Sequence, residues 1–141
     1  MRRAGTVGSK HGITVFEVEF ARAASQSCSP ENLRALRETV GRASRSDAGW
    51  EDRSAAHADF YCGLADATGV PAYSLLARYM RGSVQEMIAR AGPAAGDGIT
   101  GVHRRLIRCL EDRDSDGAAR EIERWLARLG QWLDDPPEAR A

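Results

Sequence analysis

Three side chains that can exchange protons or form hydrogen bonds stand in largely apolar stretches of the sequence. His57 and Tyr61 are four residues apart, so on a helix they share one face, beside the apolar Leu64. His103 follows Val102 and precedes two further apolar residues at 106 and 107. A neutral imidazole both donates and accepts a hydrogen bond, and a protonated one pairs with an anion. The residues alone therefore indicate either a polar pocket or core side chains satisfied by local hydrogen bonds, and both interpretations stay open.

Further residues are candidates for the wall of such a pocket. Trp125 offers stacking area and volume. Met80, Ser83 and Met87 recur along one stripe of a predicted helix, where thioethers adapt to irregular shapes. Ordinary core packing remains the alternative for all four. The predicted ligand-binding set is His57, Tyr61, Met80, Ser83, Met87, His103 and Trp125.

The cysteines carry no sign of redox, metal or nucleophilic chemistry. Cys28, Cys62 and Cys109 are far apart, lack a C-x-x-C spacing and form an odd set. No base stands next to any of them in the sequence that would activate a thiol. We therefore expect free thiols and a location in the reducing cytoplasm.

Charge and hydropathy exclude two classes of partner. Lys plus Arg and Asp plus Glu both number 20, so the formal net charge is zero and nothing attracts a nucleic-acid backbone or an anionic lipid surface. No apolar run approaches the roughly 20 residues that cross a bilayer. We expect one soluble domain with no direct nucleic-acid or membrane partner.

Helix formers dominate the chain, and breakers separate six helical segments. The segments are predicted to start near Ile13, Pro30, Trp50, Pro71, Asp97 and Ala118. Asp97 is expected to cap the fifth helix, after a surface loop over 92–98. The predicted organisation is a flexible tail over 1–12, a helical bundle over 13–135 and a C-terminal tail over 136–141.

Four segments in this order carry a family resemblance. They are Phe16-Glu17 followed by Cys28 to Leu33, His57 to Gly69, Val102 to Ile107, and more loosely Leu110 to Leu126. Their order and spacing resemble the FCD family, the C-terminal effector-binding domain of FadR-type GntR transcription regulators. The resemblance implies an all-α, antiparallel bundle of six to seven helices around a central ligand cavity.

The metal site that many members of this family hold looks dismantled here. The resemblance implies an aspartate and a histidine four residues apart on one helix, with one histidine on each of two later helices. His57 stands at the position of the aspartate, Tyr61 at that of the first histidine and Trp125 at that of the third, so His103 alone matches. A phenol is mostly protonated at neutral pH and an indole only donates. We therefore expect no metal and no cofactor.

A second departure lies before the bundle. The regulators that this family belongs to carry a winged-helix domain, but only about a dozen residues precede the first predicted helix. The sequence is therefore read as an excised domain, a shortened gene product or a stand-alone protein, without DNA-binding activity of its own.

The resemblance implies a binding module for a small organic acid or other metabolite, which couples occupancy to the geometry of a homodimer. The main alternative is a stand-alone, metal-independent enzyme, with a biosynthetic pathway as one setting for it, which uses His57, Tyr61 and His103 as general acid and base. A third hypothesis is a remnant that serves only as a dimerisation partner for an intact regulator.

Overall fold

A computed structural model describes residues 16–134, and over this range the chain is helical without a strand. The helices are α1 (16–27), α2 (Pro30–Ala43), α3 (Trp50–Ala67), α4 (Pro71–Ala91), α5 (Gly96–Glu111) and α6 (Ser115–Asp134). The expected all-α bundle is confirmed. The predicted start at Ile13 and the tails over 1–12 and 136–141 lie outside the described residues. No helix within 16–134 has the length and apolarity to cross a membrane.

Local sequence signals set the start of α2. The Ser29 hydroxyl accepts a hydrogen bond from the Asn32 amide at 3.1 Å, and the Asn32 side chain accepts one from the Ser29 amide at 3.0 Å. Pro30 fills the first helical position, where the missing N–H costs nothing. The reciprocal bonds satisfy donors that a helix start leaves free. The start predicted at Pro30 is confirmed.

The connection between α4 and α5 differs from the predicted surface loop. Residues Pro93–Ala95 form a single 3-10 turn, and α5 begins at Gly96, so Asp97 lies within its first turn and does not cap it. Gly96 is buried against α3: a Cβ there would lie 2.8 Å from Arg53 Nη2 and 3.1 Å from the Trp50 ring. Because of this close packing, the connection lies against α3 and is not an open surface loop.

Helix α3 lies at the centre of the bundle. It packs along α2 on one side and α4 on another, and it also contacts α5. Helix α6 packs against α5 and, less extensively, against α4. Because neighbours surround α3, even its polar side chains at 54, 57 and 61 are buried. This central position brings His57 and Tyr61 into the interior.

Candidate functional site

The structure brings together the three residues singled out for their chemistry. His103 of α5 stacks on Phe60 of α3, with ring centroids 3.8 Å apart and planes 6° from parallel. The His57 ring lies 5.6 Å from the His103 ring, and the Tyr61 ring lies 5.3 Å from it, edge to face. All three side chains are buried. A row of polar rings therefore runs through the bundle between α3 and α5.

A fourth polar residue, Glu17 of α1, belongs to this row and was assigned no site role from the sequence. Its side chain is 2% exposed, and its charge acts on the phenol of Tyr61. Phe20, Ala21 and Ala24 follow at the spacing of one helix face and are also buried. That spacing was the available signal, because it places Glu17 on the core face. We call Glu17, His57, Tyr61 and His103 the polar interior.

A small cavity adjoins one end of the polar interior. Glu17, Tyr61 and Trp125 line it together with Met87, and the rest of the lining is aliphatic: Val84, Ile88, Leu126 and Leu129. The volume open to the centre of a water molecule is about 10 Å³, which is about the space of one water. The two histidines do not line the cavity; they lie behind Tyr61.

The polar interior is short of hydrogen bonds. Among the described residues, no partner exists for six buried atoms: Glu17 Oε2, Tyr61 Oη, and both ring nitrogens of His57 and His103. Buried polar atoms in folded proteins almost always have a partner, and an unpaired one costs about 1–3 kcal/mol. Six in one contiguous cluster do not fit core side chains satisfied by local hydrogen bonds. Local hydrogen bonds among the described side chains therefore do not satisfy this cluster.

Burial makes the whole cluster uncharged near neutral pH. It raises the pKa of Glu17 to about 8, and it lowers that of His57 to about 4, with the positive charge of Arg53 adding to the effect. Burial, and next the adjacent His57, hold the pKa of His103 well below its usual value. Glu17 is thus mostly protonated at pH 7, and both imidazoles are neutral.

The phenol of Tyr61 keeps its proton throughout the physiological range. Burial raises its pKa well above the usual value, and the Glu17 carboxylate adds to that shift. The Trp125 indole opposes it, although it makes no hydrogen bond to the phenolic oxygen by the usual geometry. Within residues 16–134, none of the side chains that line the cavity is cationic. An acidic ligand, as expected from the resemblance, therefore meets no positive charge at the cavity wall.

The predicted wall on α4 is only partly in place. Met87 lines the cavity, Met80 is half-buried against the core away from it, and Ser83 is exposed on the outer side of the helix. The buried stripe of α4 includes Val84, and a residue one position earlier lies about 100° around the axis. Ser83 therefore does not reach the interior, contrary to the expectation from the sequence.

These features define an all-α bundle with an uncharged polar interior beside a small cavity. The family model of the FCD domain matches residues 14–128, and the chain belongs to the FCD family. That family is the C-terminal effector-binding domain of GntR-family regulators, so the resemblance seen in the sequence is confirmed. No curated protein matches the chain.

The donor set of this chain does not fit the divalent metal that the family resemblance implies. The described residues contain no group of three or more His, Cys, Asp or Glu side chains placed to hold a metal ion. His57 and His103 supply two imidazoles, and the group beside them is the Tyr61 phenol, whose raised pKa opposes its use as an anionic ligand. Typical zinc sites have at least three protein ligands.

Proposed function

We propose that this domain binds a small organic molecule at the cavity beside the polar interior. The observation that carries the proposal is that two buried polar atoms of the cavity lining, Glu17 Oε2 and Tyr61 Oη, have no partner among the described residues. At roughly 1–3 kcal/mol for each unpaired group, the cluster is a costly feature for a bundle of this size. A ligand that hydrogen-bonds to Glu17 and Tyr61 recovers part of that cost, and so favours the bound state.

Binding of a metabolite requires the cavity to widen. Room for one water is far below the roughly 300–1,000 Å³ of typical ligand pockets. The flexible Met87 and the aliphatic Leu126 line the cavity from α4 and α6, two helices that pack on each other less extensively than α3 packs on α4. We infer that a ligand separates α4 from α6, which would transmit occupancy to the outer surface of α4.

The same electrostatics favour binding over the enzymatic alternative. A general base works best with a pKa near the working pH, whereas His57 is near 4 and His103 is held well below its usual value. No carboxylate hydrogen-bonds to either imidazole among the described residues. The two histidines are therefore poorly suited to proton transfer, and Tyr61, which lines the cavity, is suited to hydrogen bonding to a ligand.

We also propose that the domain forms a homodimer through α4. Leu75 and Tyr79 are 73% and 87% exposed and lie one turn apart, so they form an apolar strip on the outer face. A two-fold interface uses the same patch of both subunits, and a single helix face meets that requirement. Sedimentation of the wild type and of Leu75→Asp tests this: the variant is expected to be monomeric, and a monomeric wild type contradicts the proposal.

The binding proposal is tested by screening the full chain against a fragment library with ligand-observed NMR. Compounds that bind are expected to lose affinity by about tenfold or more in Tyr61→Phe, because the phenol is a central polar group. Ser83→Ala is the matched control, since Ser83 is exposed on a helix that lines the cavity. Hits that bind equally well to both variants, or an absence of hits, contradict the proposal.

A further inference from the structure

We propose that the cavity recognises an ammonium group, so that the ligand is a small amine with an apolar body. The carboxyl of Glu17 and the rings of Tyr61 and Trp125 form the binding site for the cation. This inference rests on the proposed function, because it names the ligand class of the same cavity.

Glu17 supplies the anionic partner. It lines the cavity from α1, it is 2% exposed, and its Oε2 atom has no hydrogen-bond partner among the described residues. Among the described residues, no cationic side chain lines the cavity to neutralise it. A buried carboxyl with an unpaired oxygen therefore lines the cavity, and an ammonium group can both hydrogen-bond to it and balance its charge once it ionises.

Two aromatic side chains strengthen the preference for a cation. Tyr61 and Trp125 line the same cavity as Glu17. Aromatic faces attract cations through the ring quadrupole, tryptophan most strongly, and the attraction grows when the site is desolvated. A carboxylate ligand would find no cationic partner among the described lining residues, and it would be repelled once Glu17 ionises.

The remainder of the lining specifies the rest of the ligand. Val84, Ile88 and Leu129 are buried aliphatic residues, and Met87 is flexible. The described residues of this surface include no polar side chain to meet a second charged group, such as the carboxylate of an amino acid. The fit is to an amine with a short aliphatic chain.

Binding of an ammonium ion should change the protonation state of Glu17, and this change can be measured. Glu17 carries its proton at pH 7 in the free protein. When an alkylammonium ion binds, the carboxyl O–H bond breaks, the proton leaves to solvent, and a carboxylate–ammonium pair remains. In the part of the lining that the structure describes, Tyr61 is the other titratable group. The lining residues of α4 and α6 do not titrate: Val84, Met87, Ile88, Trp125, Leu126 and Leu129. Binding should therefore release close to one proton and tighten as the pH rises toward 8.

The test compares three probes with the same alkyl chain: n-butylammonium, n-butanol and n-butyrate. Each is titrated into the full chain at pH 7 by NMR, and proton release is measured by calorimetry in buffers of different ionisation enthalpy. We expect n-butylammonium to bind about tenfold or more tightly than the other two. Glu17→Gln should remove that preference and the proton release, and keep the weak binding of n-butanol. Glu19→Gln, exposed on the same helix, should change neither.

The outcomes separate this inference from the proposed function. Binding of n-butanol or n-butyrate at the cavity, with n-butylammonium no tighter, overturns the amine and leaves the binding cavity standing. An amine preference that survives in Glu17→Gln also overturns it. If none of the three probes perturbs the cavity residues at about 50 mM, a concentration that reveals even very weak binding, both proposals are overturned.

Discussion

Helices α1 and α6 meet at two places, and the polar side chains that the structure describes are paired by hydrogen bonds at only one of them. At one place the Ser25 hydroxyl donates to the Arg22 carbonyl at 2.6 Å, and it also lies 2.6 Å from the Ser115 hydroxyl. We call Ser25, Asp114 and Ser115 the serine corner. About 12 Å further along α1, at eight residues' rise, Glu17 has an unpartnered oxygen beside Trp125.

The difference shows which of the two places is stabilised by the protein's own hydrogen bonds. The Asp114 carboxylate accepts from the Gly117 amide at 2.9 Å, so the start of α6 is capped at the serine corner. The polar interior has no such completion among the described residues. Since this chain can satisfy buried polar groups with its own side chains, the unsatisfied end is the place that a ligand can complete. Four experiments break or sharpen this comparison.

The largest effect we expect is the pH dependence that Glu17 creates. Its pKa rises from 4.5 in the unfolded chain to about 8 in the fold, so the folded state holds a proton that the unfolded state has lost. The contribution of Glu17 to stability therefore falls as the pH rises through this window, by roughly 1.5 kcal/mol between pH 6.5 and 8. Because the two buried histidines act in the opposite direction, urea unfolding should show this loss as the difference between the wild type and Glu17→Gln, and Glu19→Gln should match the wild type. An alkaline loss that persists in Glu17→Gln contradicts the assignment.

Urea unfolding below pH 6.5 tests the two buried histidines, His57 and His103. The pKa of His57 falls from 6.5 to about 4, so below pH 6.5 the unfolded state binds a proton that the fold excludes. His103 shifts in the same direction. The stability that the two neutral histidines contribute is lost as the pH falls, whereas the stability that protonated Glu17 contributes is lost as the pH rises. The three groups together predict a stability maximum near pH 6.5.

The serine corner should respond to loss of its cap with a clear cost in stability. Asp114→Ala removes the acceptor of the Gly117 amide and should lower the free energy of unfolding by about 1 kcal/mol. Urea unfolding measures this, and Asp112→Ala, an exposed neighbour, is the control. Ligand affinity should not change. A loss of affinity in Asp114→Ala without a loss of stability would reverse the roles assigned to the two regions.

The polar interior should show the opposite pattern. Tyr61→Phe removes a buried hydroxyl that has no partner, so the free energy of unfolding should stay within about 1 kcal/mol of the wild type or rise. Affinity for ligands should fall. If the variant instead loses 2 kcal/mol or more, the phenol makes a structural hydrogen bond, and the contrast with the serine corner disappears.

The smallest expected effect is that of metal removal. Two imidazoles and a protonated phenol make a poor site, so a chelator should leave the melting temperature unchanged. Elemental analysis after dialysis should find no stoichiometric divalent metal. About one equivalent per chain that disappears in His103→Ala contradicts this prediction.

Local signals in the sequence predicted much of the fold. Ser29, Pro30 and Asn32 lie close together in the chain and determine the start of α2 without help from the rest of the molecule. The stretch over 92–98 was misassigned because its structure depends on a distant contact. Gly96 packs on Trp50 and Arg53, more than forty residues earlier, and composition cannot reveal such a contact.

The candidate site was predicted in part for a similar reason. The four-residue spacing of His57 and Tyr61 placed both on a buried face, and the structure brings them together with His103. Glu17 was missed because burying an acid without a partner is costly, so an acid on a helix is expected in solvent. Ser83 was included because Met80 and Met87 flank it, but the buried stripe of α4 is displaced toward Val84.

The parallel stacking of His103 on Phe60 gives the protein an intrinsic NMR probe. With the rings 3.8 Å apart and 6° from parallel, the circulating electrons of the phenyl ring shield the imidazole protons and move their NMR signals upfield. With three histidines in the sequence, this imidazole should stand apart from the other two in the aromatic spectrum. Any displacement of Tyr61, whose ring edge meets the same imidazole, would shift that one resonance, so events in the cavity could be followed without a label.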